Sequence, residues 1–598
     1  MDRKTLLAIV VVGIIILLTP YYYKLISPPQ PEGTPEFPAV VDSLASEAPA
    51  AVAAKATPTT KAPAAAPERT EYAGREKPWY AEDSSRDAKQ VTVETPLYTA
   101  TFSTHGASIR SWIIKPTQPY LKEPEQLVFP QWADRNMTLV ARGGLGLLRT
   151  EVKNFEVDKN MLVVRQGDGE KSLTFTLPLA DGAWYSETYT FHPDRYIVDV
   201  TINSKGLDKL TGAATATFGW GGGMSYTEQD TAQDHFYTTA AYLMGKSKEQ
   251  LKSKGTKADE DIATGPTKWV AQRTKYFMIA LVPQEPAAGA RLATWPDSSY
   301  VGKYPPKLYE TSLVFNVIGD QFSKKLTLYA GPLEQGKIQR FEPSLEEMMS
   351  WGWAIIEPFS KLVFWALVNL HKVIPNYGVV LIIFSILIKV IVWPLTAKSY
   401  KSMKRMQKLQ PLLKAVQEKY KDNPQKMQQE VMALYKEHKV NPMGGCWPTL
   451  LQMPLLYGLF MVFRSTIELR GQPFVLWIND LSMPDALFHL PFTLPLYGNH
   501  VAVLPIVMAI STWLQSRQTA TDPNQKFMTA FMPIMFIFLF NNFPSGLTLY
   551  YTLFNILSWG QQKFLKISDP ALDKELEEVA KEKERQERRD ERKRQRQV

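Results

Sequence analysis

The chain has 598 residues, of which 45% are hydrophobic and 12% aromatic. It is too apolar for a disordered protein and long enough for two or three domains. Lys and Arg number 68 against 59 Asp and Glu, which gives a net charge of +9, so the position of the charges is more informative than their sum. The single cysteine, Cys446, excludes an internal disulfide framework and a zinc ribbon.

An apolar run over residues 6–18 lies near the N-terminus, after Arg3 and Lys4 and before Pro20 and three consecutive tyrosines. At about 1.5 Å per residue, the uncharged segment around it nearly spans a hydrocarbon core of roughly 30 Å. No small-residue cleavage site follows it. We therefore predict an uncleaved signal-anchor helix over residues 1–26 with a cytoplasmic N-terminus, and a cleaved signal peptide is the alternative.

The next two regions differ in composition. Residues 27–89 are rich in Pro, Ala, Thr and Glu without sustained periodicity, which predicts an extended linker outside the membrane. Residues 90–341 contain short β-rich runs separated by turn signals, and no transmembrane run interrupts them. Many strands without helical patterns between them predict one large β-sandwich on the outer side of the membrane.

The composition and the pattern of the sequence change at residue 342. Ser344 and Glu347 have the spacing of a capping box, which predicts a helix start, and the following sequence mixes Trp351, Trp353 and Trp365 with charged residues. Such a mixture is typical of a helix that lies in the membrane interface. We predict an amphipathic interfacial helix over residues 342–373.

Long apolar stretches then dominate the chain. The last of them exceeds one span of about 20 residues, and the turn signal at residues 541–546 divides it into two. The sequence therefore predicts a five-helix core over residues 374–566 and six transmembrane helices in all. The stretches cover residues 373–397, 440–463, 486–516 and 527–562.

The charges support this topology. Residues 397–440, predicted as a cytoplasmic hairpin of two amphipathic helices (397–416 and 424–439), contain 11 Lys or Arg against 4 Asp or Glu. The predicted outer loop, residues 471–500, contains no Lys or Arg. The positive-inside rule then places both termini, including a charged tail at 567–598, in the cytoplasm.

Lys389 is a lone charge inside the first of these apolar stretches. A cation at the centre of a span costs about 2.5 to 3.5 kcal/mol, so it should face a wet or polar space. Helical spacing predicts Ser385, Trp393 and Thr396 on the same face. The alternative is that the side chain extends to the cytoplasmic headgroups.

Polar residues on two other helices favour the wet space. The last helix has a stripe of polar residues at helical spacing, and the third helix adds Thr449 and Gln452. For any one of them, a hydrogen bond to a neighbouring helix is the alternative. Together with Lys389 they predict a hydrophilic intramembrane groove. The stripe consists of Thr548, Tyr551, Thr552, Asn555, Ser558 and Gln562.

A basic cluster begins the predicted hairpin and consists of Lys401, Lys404, Arg405 and Lys408. Such a cluster binds anionic lipid, RNA or acidic peptide, and anionic phospholipid is the simplest partner. The basic tail suits the ribosomal surface, and a solvated run of charges is the alternative. We predict no DNA partner.

The sequence contains no residue pattern typical of a catalytic, metal-binding or phosphate-binding site. The β-rich region has His105, His192 and His235, which follow no metal-ligand spacing. No complete phosphate-binding loop occurs either. We therefore predict no catalytic residues, no metal, no cofactor and no enzymatic activity.

Three motifs point to a known family. The run Asn441-Pro-Met-Gly-Gly-Cys-Trp-Pro-Thr-Leu-Leu-Gln-Met-Pro454, with Trp393-Pro-Leu-Thr396 before it and Phe543-Pro-Ser-Gly-Leu-Thr-Leu-Tyr-Tyr551 after it, resembles the YidC/Oxa/Alb family of membrane protein insertases. The resemblance is specific over residues 376–566. It is weaker in the β-rich region, where Trp269-Val-Ala-Gln-Arg-Thr-Lys-Tyr-Phe277 is similar to a family segment. The anchor and large outer domain match the Gram-negative form.

The resemblance implies a function and a location. A member of this family inserts nascent proteins into the bacterial inner membrane and helps them fold, alone or with the Sec translocon, without ATP hydrolysis. It also implies a periplasmic β-supersandwich and a core groove that is open to the cytoplasm and lipid but closed to the outside. The ribosome and anionic phospholipids are further expected partners.

The resemblance also assigns residues to the groove. The family's membrane-buried Arg, which receives the polar or acidic tail of the substrate, falls on Lys389. Its nearby hydroxyl falls on Ser385 and its substrate-contacting tyrosine on Tyr551. Gln452, Thr552 and Asn555 complete the predicted site. Lys keeps the charge of Arg but lacks its planar fork, which binds a carboxylate through two hydrogen bonds.

Two other classes of protein remain as alternatives. A secondary transporter or channel also needs polar residues at membrane depth, although no Asp or Glu falls within the predicted spans. A membrane-anchored carbohydrate enzyme or binding module would place the function in the β-sandwich instead.

Overall fold

The computed structural model describes residues 82–253, 257–297, 300, 304–438, 440, 447–494, 497–519 and 523–564. The predicted signal anchor, most of the linker and the charged tail lie outside the described residues. Within them, a β-rich domain is followed by a helical core.

The β-rich domain contains nineteen described strands, which form two sheets. The smaller sheet has the order β4-β3-β2-β1-β8. The larger one has the order β6-β5-β12-β18-β17-β15-β16-β19-β11-β10-β9-β7, and β13 and β14 extend it from β15. The strands are β1 (Gln90–Glu94), β2 (Tyr98–Ser103), β3 (Ile109–Ile114), β4 (Glu125–Gln126), β5 (Asn136–Gly143), β6 (Gly146–Arg149), β7 (Glu156–Val157), β8 (Met161–Val163), β9 (Lys171–Pro178), β10 (Trp184–Phe191), β11 (Ile197–Lys205), β12 (Thr215–Trp220), β13 (Thr239–Met244), β14 (Ser247–Leu251), β15 (Asp259–Arg273), β16 (Phe277–Pro283), β17 (Ala287–Trp295), β18 (Leu308–Asn316) and β19 (Gln321–Pro332).

Alternating apolar residues explain how these sheets pack. Along β9, Leu173, Phe175 and Leu177 are buried while the residues between them are half-buried, as the two-residue period of a strand requires. Phe102 of the smaller sheet contacts Phe175 and Tyr189 of the larger sheet, with ring centroids 5.7 and 5.0 Å apart. The two sheets therefore share one apolar core.

Eleven described helices include three short ones in or beside the β-rich domain and eight in the region after it. Among the described residues, one helix, α5, is long and apolar enough by length and composition to cross a membrane. The helices are α1 (Leu207–Thr211), α2 (Thr231–Tyr237), α3 (Gln335–Phe341), α4 (Glu357–His371), α5 (Tyr377–Lys408), α6 (Gln410–Lys419), α7 (Pro424–Glu437), α8 (Trp447–Ser465), α9 (Leu504–Thr519), α10 (Pro523–Phe540) and α11 (Ser545–Phe564).

The predicted helix over residues 342–373 is shorter than expected. Residues Pro343–Met348 form a 3-10 turn, and α4 begins only at Glu357. Ser344 does not act as the predicted cap, because its hydroxyl donates to the Glu342 carboxylate at 2.7 Å and accepts from Trp269 Nε1 at 2.9 Å. The β-rich domain thus engages the side chain that would have started the helix.

The predicted apolar stretch 486–516 is divided between two structures. Residues 486–494 and 498–502 form an antiparallel hairpin of β20 (Ala486–Leu494) and β21 (Gly498–Ala502), and α9 occupies only the second half of the stretch. Pro491 and Pro495 explain the difference, because each would remove a helical hydrogen bond. Asp485 then starts α9 by accepting the backbone N–H groups of Val503 and Leu504 at 3.0 and 2.8 Å.

The predicted break between the first apolar stretch and the cytoplasmic hairpin is also wrong. Helix α5 continues from Tyr377 to Lys408, so residues 397–408 belong to the same helix as Lys389. The break comes at Leu409, because Pro411 in the first turn of α6 disfavours a continuous helix before it. The second hairpin helix, α7, lies where it was expected.

An ion-pair cluster joins the β-rich domain to the helical core. Arg470, just after α8, contacts Glu125 Oε1 through Nη2 at 2.6 Å and Glu228 Oε1 through Nε at 2.9 Å. All three side chains are at most 15% exposed. A guanidinium between two carboxylates at this degree of burial fixes the position of the loop after α8 against the domain.

The segment 269–277, which resembles a family segment, forms a second part of this joint. Arg273 is buried and donates to three backbone carbonyl groups, those of Thr274, Lys275 and Met348, at 2.7, 2.8 and 2.6 Å. Met348 belongs to the connection that leads to α4. Arg273 therefore fastens this connection to the domain, which gives the segment a structural role.

Replacing Arg470 by Met should destabilise the protein, because it leaves Glu125 and Glu228 buried without their cation. We expect the free energy of unfolding in detergent to fall by roughly 2–4 kcal/mol, somewhat less than for a completely buried pair. The matched control is Arg195→Met, since Arg195 is 61% exposed and pairs with Asp194 at 3.5 Å. This change should cost less than about 1 kcal/mol, and equal effects of the two variants would contradict the joint.

Glu468 should make the joint sensitive to pH. Burial raises the pKa of its carboxyl group from 4.5 to about 7, while its Oε1 accepts the backbone N–H of Gln335 at 3.2 Å. The folded protein therefore retains a proton that the unfolded chain releases near pH 4.5, so this stabilisation is complete below pH 4.5 and disappears as the pH rises through 7.

Thermal unfolding of the full chain in detergent at pH 5 and pH 8 tests this expectation. The wild type should lose stability, on the order of 1 kcal/mol from this group, between the two values. Glu468→Gln, which stays neutral, should lose less. An unchanged difference between the two pH values in the variant would refute the assignment.

Candidate functional site

Lys389 belongs to helix α5, and its side chain lies between α5 and α11. Its ammonium donates a hydrogen bond to Ser558 Oγ at 2.7 Å, and the side chain is only 4% exposed. The rings of Phe554 and Tyr400 face the ammonium, with centroids at 4.5 and 5.6 Å. The side chain does not reach the molecular surface, so its burial favours the predicted intramembrane site over extension to the headgroups.

The charge of Lys389 is only partly compensated. Among the described residues, no carboxylate lies within ion-pair distance of the ammonium. The hydroxyl of Ser558 is held in place, because it donates to the Phe554 carbonyl oxygen at 2.7 Å while it accepts from Lys389. The aromatic rings add cation–π attraction of about 0.5–2 kcal/mol. The ammonium thus keeps hydrogen-bonding capacity for an anionic group.

The other residues predicted on this face of α5 differ in their burial and in their hydrogen-bond partners. Ser385 is completely buried, but its hydroxyl donates to the Leu381 carbonyl oxygen of its own helix at 2.7 Å. Thr396 is buried and accepts from Gln561 Nε2 at 3.3 Å. Trp393 is 43% exposed and is therefore not buried with Lys389. Pro394, which lacks a backbone N–H, lies between Trp393 and Thr396 in the sequence.

The polar stripe of α11 is buried inside the helical core. Thr548 and Thr552 satisfy their hydroxyls on carbonyl oxygens one turn back, those of Pro544 and Thr548, at 3.3 and 2.8 Å. Asn555 instead bonds another helix. Its Nδ2 donates to Thr512 Oγ1 of α9 at 2.8 Å and to Ser511 Oγ at 3.3 Å. Helix α9 therefore contributes polar side chains that the sequence reasoning did not assign to the groove.

Gln562 ends the stripe with an unsatisfied amide. Both polar atoms of its side chain are buried and have no hydrogen-bond partner within the part of the chain that the structure describes. A buried amide without partners costs roughly 1–3 kcal/mol, so this end of the polar stripe is suited to water or to a polar guest.

The described hydrogen bonds and ring contacts of the remaining predicted groove residues, Tyr551 and Gln452, do not include Lys389. Tyr551 is partly buried and packs against Phe536 and Phe540 of α10, with ring centroids 6.1 and 6.0 Å apart. Gln452 of α8 is partly buried. The structure therefore brings Lys389, Ser558, Thr396 and Gln561 into hydrogen-bonded contact across α5 and α11, while Tyr551 and Gln452 belong to other contacts.

The basic cluster lies at the far end of α5. Lys401 is exposed, and Lys404, Arg405 and Lys408 are partly buried. Because α5 is continuous, Lys401 lies twelve residues, or about 18 Å, along the helix axis from Lys389. One helix thus links the basic cluster to the buried cation.

Ser558 and Gln561 bond to Lys389 and Thr396, and the sequence did not predict either residue as part of the site. Ser558 belongs to the predicted stripe, and its spacing from Asn555 placed it on the correct face. No pattern in the sequence identified it as the partner of Lys389, because the pairing depends on how α5 and α11 pack. Within the described ranges, no group of three His, Cys, Asp or Glu side chains could hold a metal ion.

Replacing Ser558 by Ala should destabilise the helical core, because it removes a described hydrogen-bond acceptor of a buried ammonium. We expect a loss of about 1–3 kcal/mol in the free energy of unfolding in detergent. The matched control is Ser385→Ala on the facing helix, because the described hydrogen bond of its hydroxyl is to the backbone of its own helix. This change should cost less than about 1 kcal/mol in the same assay. Equal losses would show that Lys389 does not depend on Ser558.

The chain was compared with known proteins. A family model described as 60Kd inner membrane protein matches residues 369–571, and one described as YidC periplasmic domain matches residues 90–366. The membrane protein insertase YidC of Chlorobaculum tepidum is 34% identical over 582 residues, which cover 94% of each chain. That of Chloroherpeton thalassium is 36% identical over 495 residues, which cover 80% of this chain and 83% of the relative.

One solved structure, described as an active YidC insertase with the first transmembrane domain resolved, covers 80% of this chain and 93% of its own at 16% identity, with a TM-score of 0.36. The sequence matches, in contrast, extend over nearly the whole chain. By that extent and identity, the chain belongs to the YidC family of membrane protein insertases.

Proposed function

We propose that this chain inserts nascent proteins into the inner membrane through an intramembrane groove whose charged element is Lys389. The observation that supports this most is the buried ammonium, which has a hydroxyl but no carboxylate as its described partner. In a low-dielectric site, an unneutralised cation attracts a polar or anionic segment strongly. Membership of the insertase family supplies the reaction that such a site would serve.

The groove would act by lowering the cost of moving a short polar segment into the membrane. Lys389 receives an acidic or polar tail of the substrate, and Thr552, Asn555 and Gln562 offer further polar contacts. The adjoining hydrophobic segment of the substrate then moves sideways into lipid. Transfer of about 20 apolar residues into the bilayer supplies the free energy, so the process requires no ATP hydrolysis.

Capture would begin on the cytoplasmic side. Helix α5 extends from the groove to the basic cluster around Lys401, so a chain held there is already close to the groove entrance. The basic end of α5, the hairpin of α6 and α7, and the tail 567–598 would contact the ribosome and anionic phospholipids. The groove would work alone or beside the Sec translocon.

The proposed topology has six transmembrane helices with both termini in the cytoplasm. The domains are an anchor at 1–26, a periplasmic linker at 27–89, a periplasmic β-supersandwich at 90–341, an interfacial region at 342–373, the core at 374–566 and the tail. The exposed apolar residues of α5, which include Ile386, Val390 and Ile391, support a lipid-facing surface.

Replacing Lys389 by Ala should impair insertion of a substrate whose translocated tail is acidic. We expect the initial rate in proteoliposomes to fall about tenfold, which corresponds to roughly 1.4 kcal/mol of lost attraction. Lys389→Arg, which keeps the charge and adds a planar fork, should insert at least as well as the wild type. Protease protection of the tail measures the rate.

Two controls separate the charge effect from general damage. The same substrate with a neutral tail should be inserted by Lys389→Ala at nearly the wild-type rate. The exposed Lys205 in the β-rich domain, changed to Ala, should leave insertion of both substrates unchanged. Normal insertion of the acidic tail by Lys389→Ala would falsify the proposed role of the cation.

A further inference from the structure

The β20–β21 hairpin exposes large apolar side chains. Leu487, Phe488, Phe492 and Leu494 are between 40% and 57% exposed. A strand that packs one face on a protein core alternates buried and exposed residues. In β20, seven of the nine residues are exposed, all except Ala486 and Leu490, so the strand shows no such alternation. Both faces of the strand are therefore largely uncovered by protein among the described residues.

Such a hairpin is poorly suited to water. An isolated two-stranded hairpin is marginally stable in water, and this one would also expose several large apolar groups. Each square ångström of apolar surface left in water costs about 25 cal/mol, so neighbouring Phe and Leu side chains favour an apolar environment.

The hairpin is fastened to the turn between α10 and α11. Asn541 Nδ2 donates to the carbonyl oxygens of Tyr497 and His500 at 2.9 and 2.8 Å, and its Oδ1 accepts the Ala502 N–H at 3.1 Å. Asn542 Nδ2 also donates to the Tyr497 carbonyl oxygen, at 2.8 Å. In the proposed topology this turn lies at the outer ends of both helices, so the hairpin lies at the same level.

An exposed apolar surface continues directly from the hairpin into α9. Helix α9 starts two residues after β21, and Ile506, Val507 and Ile510 in its first two turns are exposed. In the proposed topology these side chains face lipid. The apolar surface of the hairpin is thus the outer continuation of a lipid-facing helix surface.

The backbone limits how deep the hairpin can lie. A two-stranded ladder leaves unpaired N–H and C=O groups along its outer edges, and each would cost several kcal/mol in hydrocarbon. His489 is exposed as well. The headgroup boundary satisfies both requirements, because water reaches the edges there while the apolar side chains reach the acyl chains.

We propose that the β20–β21 hairpin binds the outer leaflet of the membrane, with Leu487, Phe488 and Phe492 among the acyl chains just below the headgroups. The loop 471–500 has no Lys or Arg, so the contact is apolar and does not depend on anionic lipid. This inference rests on the proposed membrane topology and goes beyond the groove, since it assigns a lipid-binding surface to the outer side of the core.

Nitroxide spin labels on the full chain in phosphatidylcholine vesicles test the proposal. In a Cys446→Ser background, labels are attached at Leu487→Cys and Phe492→Cys. Ile510→Cys on α9 is the lipid control, and Ile318→Cys, which is 79% exposed on the β-rich domain, is the water control. Collision with oxygen and with a water-soluble nickel chelate is measured for each label.

Labels at 487 and 492 should collide preferentially with oxygen, several-fold more than the label at 318, and lie shallower than the label at 510. Added phosphatidylglycerol should not change this. An aqueous profile at 487 and 492 with a lipid profile at 510 would overturn the hairpin contact and leave the topology intact. Aqueous profiles at all three would overturn the topology and the proposed function with it.

A photoreactive group at Phe492 distinguishes lipid from substrate. With a stalled nascent chain bound, we expect crosslinks to phospholipid in the same yield as without the chain. Crosslinks mainly to the nascent chain would overturn the proposal, because the surface would then bind substrate rather than lipid.

Discussion

The buried Lys389 ammonium is the interaction around which the helical core is organised. It lies between α5 and α11 with one described hydroxyl partner and two aromatic rings, an arrangement that reduces the cost of burial without neutralising the charge. Buried charges in proteins are usually paired, because an unpaired one is expensive. A site that leaves part of this cost uncompensated has free energy available for a visiting anionic or polar group.

Arg470 provides the contrast within the same chain. It is also largely buried, but two carboxylates surround it, and its hydrogen bonds hold the β-rich domain against the loop after α8. Two ion pairs within the protein neutralise the charge of Arg470, whereas the described partner of Lys389 is an uncharged hydroxyl. The same physical rule therefore separates a structural cation from a candidate functional one.

In the proposed topology, protein contacts that do not involve Lys389 hold the outer side of the core. Asn541 and Asn542 hold the hairpin, Asp485 caps α9, and the joint around Arg470 and Arg273 fixes the β-rich domain above them. Most of these contacts lie in the loops after α8 and α10, and the one from Arg273 reaches the connection before α4. In that topology they restrain the outer ends of the helices, while the continuous helix α5 extends from Lys389 to the opposite, basic end.

Local patterns were sufficient for much of this architecture. The β-rich runs gave strands because alternating apolar residues have the same period as a strand, and the stripe from Thr548 to Gln562 lies on one buried face because its spacing matches a helix turn. Errors arose where a long-range contact replaced a local one. The hydroxyl of Ser344 binds Trp269 instead of capping a helix, and the hydrophobicity of residues 486–502 did not reveal the hairpin that Asn541 holds.

The sequence by itself determined the order of regions, the apolar helices and the presence of one cation among them, because hydrophobicity, periodicity and charge are properties of neighbouring residues. Only the tertiary structure decided that Ser558 accepts from Lys389, that Arg470 is paired and that α9 supplies the partners of Asn555. Those pairings join residues distant in sequence, and their geometry is set by how whole helices and sheets pack.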